Sequence, residues 1–219
     1  ATGFITGGFR PTNSNTENWI GQVYLYRENE DIPIDDNGKA MLPLLQICLE
    51  GLPYIPDALK GSKVLTIFVS ENMPGRLAYN GDAWVIREYK EEDVLVVKDI
   101  YMQSSSRIKP YPLKSQLITE DYPVWDSGDI PMDIEDELVE MEDSGEITDY
   151  YDYTDCFAGH KIGGYPNYIQ SGIDFGDGYE FMIQIASDEK ANLNIIDSGN
   201  FYLAKNSQTG DWRLYCDFY

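Results

Sequence analysis

The sequence predicts a single α+β domain of mostly antiparallel sheet with few short helices. Short segments rich in β-branched and aromatic residues dominate the 219-residue chain, and glycine-containing turn sequences separate them. Apolar residues make up 42% and aromatic residues 13% of the chain. This composition is enough for a hydrophobic core and is unlike that of a disordered acidic protein.

Six segments have the composition of β-strands. Residues 64–70 are almost continuously apolar, which is typical of a strand that is buried on both faces. Residues 212–219 instead alternate with a period of two, which predicts a strand with only one face in the core. The remaining strand candidates lie at 22–27, 84–89, 94–97 and 180–186.

One segment predicts a regular helix, and that segment is strongly acidic. Ile134, Leu138 and Met141 recur at helical spacing. Asp133 is positioned to cap the start of this helix, and a Ser-Gly pair at 144–145 is positioned to end it. We expect the apolar stripe to contact the rest of the domain while the acidic positions face water.

The acidic charge is concentrated in one part of the chain. The net charge is -22, and residues 115–160 contain fifteen acidic residues but no Lys or Arg. We call residues 115–160 the acidic connection. Such a surface repels nucleic acid and anionic membranes and attracts cations or a basic protein. We therefore expect a basic protein partner and neither a nucleic acid nor a membrane, unless the charge serves only solubility.

The predicted partner surface extends from residue 129 to residue 155. In its last part, tyrosines alternate with aspartates, and tyrosine is favoured in protein interfaces because it provides rigid contact area with a polar tip. The candidate partner-binding residues are Asp129, Asp133, Glu135, Asp136, Glu137, Glu140, Asp143, Glu146, Asp149, Tyr150, Tyr151, Asp152, Tyr153 and Asp155.

A short internal repeat suggests that the domain consists of two related halves. The sequence LLQI at 44–47 matches MIQI at 182–185, and in both copies a glycine follows the Gln by fifteen residues. We therefore predict one domain covering the whole chain, with a first half at about 1–114, the acidic connection at 115–160 and a second half at about 161–219.

Further motifs in both halves point to a protein family. The first half contains DNGKAMLP at 36–43 and LPYIP at 52–56, and the second half contains GGYP at 163–166 and DSG at 197–199. Together these motifs resemble the bacterial YwqG-like family. The resemblance implies a β-rich α+β fold with internal pseudo-repetition and a poorly defined role; family members often resemble immunity proteins found beside bacterial toxins. The chain departs from the family pattern at 192–196, where NLNII replaces a Trp- and Gly-rich run.

Residues that could support catalysis or metal binding are few. His160 is the one histidine, so any His-based acid–base mechanism must use it, with Cys156 as a conceivable partner. Cys48, Cys156 and Cys216 lack the close spacing of a zinc site. We therefore predict no catalytic residue, no metal and no cofactor. The odd number of cysteines and the absence of a signal-peptide pattern predict a cytoplasmic protein.

Two glutamines allow an alternative function. Gln46 and Gln184 occupy matching positions in the predicted strands, where a buried amide usually satisfies backbone groups. With His160, they could instead line a ligand cleft between the halves. The leading prediction is a non-enzymatic immunity protein that covers the basic active-site cleft of a toxin. The alternatives are a small-ligand-binding housekeeping protein that uses the cleft and an enzyme with an unrecognised site.

Overall fold

Antiparallel strands make up most of the regular structure. A computed structural model describes residues 1–75, 77–100 and 107–219. Within these residues, eleven strands form one large, nearly closed barrel-like sheet, and two more form a small separate sheet. The predicted class, α+β with mostly antiparallel sheet and few short helices, is confirmed.

The elements follow one another in chain order. The strands are β1 (Thr2–Thr6), β2 (Asn18–Ile20), β3 (Leu25–Tyr26), β4 (Leu42–Cys48), β5 (Ser62–Val69), β6 (Leu77–Tyr79), β7 (Trp84–Lys90), β8 (Val96–Val97), β9 (Tyr111–Leu117), β10 (Lys161–Ile162), β11 (Tyr179–Ala186), β12 (Asn200–Asn206) and β13 (Trp212–Asp217). The α-helix of the described residues, α1, is Met132–Ser144, and 3-10 turns lie at Asp57–Leu59, Trp125–Ser127 and Tyr150–Asp152.

The order of strands in the large sheet divides it into two groups. The order is β6-β13-β12-β11-β10-β1-β9-β2-β4-β5-β7, and the pairings are antiparallel. The group β9-β2-β4-β5-β7 and the group β1-β10-β11-β12-β13 meet at the β1–β9 pair, and β6 adds to the outer edge of the second group. The N-terminal strand therefore joins the strands of the second half. The boundaries proposed from the sequence for the halves and the acidic connection stay a prediction.

Equivalent strands in the two groups make equivalent contacts. The LLQI and MIQI segments lie in β4 and β11. The N–H of Gly21, just after β2, donates to the Leu44 carbonyl, and the N–H of Gly163, just after β10, donates to the Met182 carbonyl, both at 2.8 Å. Both glycines have positive φ, which favours glycine at these positions. The sequence repeat therefore corresponds to a structural repeat.

Side chains from both groups form the main core, which includes Leu44, Ile67, Ile183 and Leu203. Two smaller clusters contain residues from the segments that follow β2 and β10. In the first group, Tyr26 and Met41 pack with Phe68 of β5. In the second group, Tyr168 and Phe175 pack with three residues of β12 and β13, namely Tyr202, Ala204 and Tyr215.

The segments that follow β2 and β10 account for two errors in the strand predictions. Only Leu25–Tyr26 of the predicted strand at 22–27 is a strand, and the N–H groups of Tyr24 and Leu25 bond to the side chain of Gln46 rather than to a neighbouring strand. The one-sided pattern predicted for 212–219 is wrong, because Tyr215 and Asp217 are buried as well. Tyr215 packs against the segment after β10, and Asp217 accepts backbone N–H groups from that segment.

Helix α1 also differs from its prediction. The residue before its first turn is Pro131, which provides no side-chain cap, so the cap predicted at Asp133 is wrong. The end is as predicted: Gly145 adopts the left-handed conformation. No residue of α1 is buried. Ile134 is exposed, while Leu138 and Met141 are only partly covered, so the predicted stripe makes at most a shallow contact.

The two ends of the large sheet come together at Glu88 of β7. Its carboxylate accepts hydrogen bonds from Lys205 of β12 at 2.8 Å and from Trp212 of β13 at 3.3 Å. Ser62 and Lys90 donate to the same carboxylate. Burial by itself would raise the pKa of Glu88, but the hydrogen bonds from Lys205, Lys90 and Ser62 outweigh it and lower the pKa to about 2.

We expect Glu88→Gln to reduce the free energy of unfolding by about 1–2 kcal/mol at pH 7, allowing for solvent screening. The folded-state pKa lies below the ordinary glutamate value of 4.5, so this stabilisation is complete above about pH 4.5 and is lost as the pH falls towards 2. Denaturant unfolding from pH 7 to pH 2.5 measures the difference. The control is Glu91→Gln at an exposed site just after β7; equal pH profiles for the two variants would contradict this role.

Candidate functional site

A buried ion pair fixes the acidic connection to the sheet. The Lys161 ammonium of β10 lies 2.9 and 3.0 Å from the two carboxylate oxygens of Asp121. The two side chains are 0% and 4% exposed. Asp121 also accepts the N–H groups of Phe157 and Tyr165. Since a buried charge is costly without a well-placed partner, this arrangement holds both ends of the acidic connection at one place.

The glycine pair after β10 makes room for this anchor. Gly163 and Gly164 both have positive φ. A Cβ atom on Gly164 would lie 1.9 Å from a carboxylate oxygen of Asp121, and a Cβ atom on Gly163 would lie 2.4 Å from the ring of Tyr54. The Gly-Gly sequence noted in the family motif is therefore required by close packing as well as by backbone conformation.

Helix α1 presents a dense negative surface. Like charges repeat at a spacing of four residues in the pairs Asp133–Glu137 and Asp136–Glu140, which destabilises an isolated helix. Acidic residues also fill its last turn, where the helix dipole disfavours negative charge. Apolar side chains lie exposed among these charges, at Met132, Ile134 and Val139.

The tyrosines that follow α1 have different roles. Tyr150 is buried, and its hydroxyl donates to the Pro123 carbonyl at 2.8 Å. Tyr151 and Tyr153 are exposed, and Asp149 caps their short turn by accepting the N–H of Tyr151. Of all the predicted partner-binding residues, only Tyr150 is buried and only Glu135 is partly covered; the others are exposed.

A recess of about 690 Å³ adjoins the acidic connection. We call it the carboxylate–aromatic recess. Carboxylates line it at Asp126, Asp129, Asp174 and Glu180. Aromatic rings line it at Tyr165, Tyr168, Phe175, Tyr179 and Phe181. None of these lining residues is basic. Asp129 was predicted, but the carboxylates from the second half were missed, because the sequence carries no signal that residues about fifty positions apart share a recess.

The glutamines organise backbone in each half. The amide oxygen of Gln46 accepts the N–H groups of Tyr24 and Leu25, at 2.8 and 3.0 Å. The amide oxygen of Gln184 accepts the N–H of Asn167 at 2.7 Å, and its amide nitrogen donates to the Gly159 carbonyl at 2.9 Å. These contacts agree with the structural interpretation of the two amides.

Both ring nitrogens of His160 have hydrogen-bond partners. The Nδ1 atom accepts the N–H of Ala186 at 3.1 Å, so the proton lies on Nε2, which donates to Asp188 at 3.1 Å. Burial opposes the ionisation of Asp188, but the hydrogen bond from His160 outweighs it and holds the pKa of that carboxyl well below its usual range. In the first half, Asn18 accepts the N–H of Cys48 in the same way.

The structure brings His160 and Gln184 close together but leaves Gln46 elsewhere. Gln184 bonds to the residue before His160, whereas four strands separate β4 from β11 in the sheet. Gln46 contributes to a small recess of about 180 Å³ beside Trp19 and Tyr24. A ligand role for these residues stays a prediction.

Comparison with known proteins places the chain in a family. A model of the family described as "Domain of unknown function (DUF1963)" matches residues 20–208. The chain belongs to this family. The DUF1963 match includes strands of both groups and the entire acidic connection. Among curated proteins, none matches the chain.

The remaining candidates for chemistry in this DUF1963 domain are its thiols. Cys48 and Cys216 are buried, and Cys156 is partly buried. Burial raises the pKa of Cys48 to about 12 and also raises that of Cys156, which disfavours the thiolate form. Within residues 1–75, 77–100 and 107–219, no group of three or more His, Cys, Asp or Glu side chains could hold a metal ion. No helix of that part of the chain has the length and apolar character needed to cross a membrane.

We expect Asp121→Ala to reduce the free energy of unfolding by about 3–5 kcal/mol, because it leaves the Lys161 ammonium buried without its partner. Equilibrium denaturation measures the change, and limited proteolysis should show faster cleavage between residues 115 and 160. Asp57→Ala is the matched control, since it breaks the exposed Asp57–Lys60 pair and should cost less than about 0.5 kcal/mol. Equal losses in the two variants would show that the buried pair does not hold the acidic connection.

Proposed function

We propose that this DUF1963 domain is a non-enzymatic binding protein that uses its acidic connection to cover a basic protein partner. Helix α1 carries this proposal. The helix has seven acidic residues and no Lys or Arg, buries none of its residues, and exposes apolar side chains between the charges. A helix of this composition contributes little to the hydrophobic core of the domain. Its surface instead suits a partner surface that is both basic and apolar.

Relief of charge repulsion supports the same proposal. The like-charge pairs along α1 and the acidic last turn disfavour the free helix. A basic partner would replace these repulsions with attractions, so binding and helix stability would reinforce each other. The buried anchor at Asp121 and Lys161 supports this use, because it keeps the acidic connection on the body despite its charge.

A more specific proposal, on the kind of partner, follows from the motifs that resemble the YwqG-like family. Its members often resemble immunity proteins, so we propose that the partner is a bacterial toxin or effector domain whose basic active-site cleft is occluded. This function requires no cofactor and would operate in the cytoplasm. The negative surface disfavours nucleic acid and anionic membrane as partners.

A recess between the two groups of strands supports a second candidate, a small-ligand-binding protein. The recess has a volume of about 550 Å³ and takes residues from both groups, including Leu42, Met73, Arg107, Asn192 and Asn194. This place differs from the cleft suggested by Gln46, Gln184 and His160. Thermal-shift screening with metabolites distinguishes the candidates, since stabilisation by a small molecule but by no protein would favour this one.

The first test is capture from lysate of the protein's own source at low and at high salt, read by mass spectrometry. The bait is compared with a variant in which Glu137, Glu140 and Asp143 are changed to Lys. The proposal requires one dominant basic partner that the wild type retains at low salt and that the variant loses. Absence of a stoichiometric partner at either salt would remove the support for occlusion.

With the purified partner, we expect the same triple reversal to slow association at least about tenfold at low ionic strength and to change dissociation much less. Wild-type association should reach roughly 10⁸–10⁹ M⁻¹s⁻¹ if steering operates fully. Stopped-flow measurement over a range of salt concentrations tests this.

The matched control reverses Asp36, Glu91 and Glu92, which are exposed in the first half, to Lys. It has the same net charge as the triple variant, so an equal slowing by both would show that total charge, rather than the surface of α1, directs association. Circular dichroism checks that α1 remains folded in each variant.

A further inference from the structure

We propose that the carboxylate–aromatic recess binds an arginine side chain presented by the basic partner. The inference rests on the proposed function, because it identifies the chemical group by which that partner is recognised. A guanidinium group pairs in a two-pronged way with carboxylates and also stacks on aromatic rings. The recess offers carboxylates and rings together, and none of its lining residues is basic.

Backbone contacts hold the walls of the recess in place. The N–H of Gly172 donates to the Asp126 carbonyl at 2.9 Å. A Cβ atom on Gly172 would lie 2.0 Å from the carbonyl oxygen of Ser127, so the two walls approach as closely as only glycine allows. The Ser127 hydroxyl accepts the N–H of Asp129 at 3.1 Å. Asp126 and Asp129 therefore have defined positions opposite the second half of the chain.

The carboxylates of the recess are available to an incoming cation. Asp126, Asp129 and Glu180 are exposed, and no salt bridge of the described residues uses them. Asp174 is oriented by the N–H of Gly176 at 2.7 Å. Asp129 is exposed as a whole residue, but partial desolvation of its carboxyl by the surrounding groups raises its pKa, and a guanidinium beside it would favour its ionised form.

One ring of the recess already stacks against a guanidinium group of the protein itself. The Arg213 guanidinium lies 4.2 Å from the centre of the Tyr179 ring and donates to the Phe175 carbonyl. Tyr165 and Phe181 remain as rings on which a partner arginine can stack. The carboxylates are spread around the recess, and in the described part of the chain they form no group suited to a metal ion. The aromatic walls also favour a flat organic cation.

Isothermal titration of the full chain with two peptides tests the proposal. The probes are acetyl-Gly-Arg-Gly-Arg-Gly-amide and the same peptide with Lys in place of Arg. We expect tighter binding of the arginine peptide. The double variant Asp129→Asn, Glu180→Gln should weaken it roughly tenfold, about 1.4 kcal/mol. The charge-matched control Glu91→Gln, Glu92→Gln should leave it unchanged.

The aromatic contribution is tested at Tyr165. Tyr165→Ala should weaken the arginine peptide, and Tyr165→Phe, which keeps the ring, should retain it. Thermal unfolding verifies that each variant is folded. Failure of the arginine peptide to bind, equal affinity for both peptides, or an equal effect of the control variant would overturn the proposal. If the peptide fails while partner association still depends on Glu137, Glu140 and Asp143, the occlusion function stands and only the arginine site is wrong.

Discussion

The buried pair of Lys161 and Asp121 is the constraint on which the acidic connection depends. Residues 115–160 carry acidic charges with no Lys or Arg among them, so their mutual repulsion favours an extended chain. The lysine has no contact with water and would be costly without its carboxylate. Because Asp121 also accepts the N–H groups of Phe157 and Tyr165, this one carboxylate joins the chain around residue 121 to the stretch from 157 to 165. We therefore expect the place of the acidic connection on the sheet to depend on this anchor.

The two halves of the internal repeat differ at the position of this anchor. Trp19 pairs with Gln46 in the first group, and Lys161 pairs with Gln184 at the equivalent place in the second. Both glutamines bond to backbone of the covering segments. At this place the first group has the aromatic side chain of Trp19. The second group has the ammonium group of Lys161, which requires the carboxylate of Asp121 as its partner. The acidic connection therefore contributes a side chain, that of Asp121, to the packing of the second half.

Sequence patterns predicted the fold class and the strands whose own residues are apolar, such as β5 and β11. The repeat was predicted from the match of LLQI with MIQI and from the glycine that follows each Gln by fifteen residues. Patterns failed where distant residues decide the structure. Strand β1 lies beside β9 and β10, and β10 has only two residues. The C-terminal strand is buried on both faces because another segment covers it.

Only part of the candidate site could be predicted from the sequence. Charge density alone predicted the proposed partner surface, and most of its residues are exposed. The apolar spacing of α1 predicted a contact with the rest of the domain, yet the helix buries none of its residues, since periodicity shows which residues share a face but not how far another element covers them. The recess could not be predicted, because Asp126 and Asp129 meet Asp174 and Glu180 only through the fold.

Hydrogen–deuterium exchange of the protein alone and with its captured partner is the decisive test of occlusion by the acidic connection. We predict slower exchange in the partner complex throughout residues 126–155, with little change in β4, β5 and β7. Protection centred instead on residues 42, 71–73, 107–108 and 192–196 would contradict occlusion by the acidic connection. That result would place the functional contact in the recess between the two groups of strands.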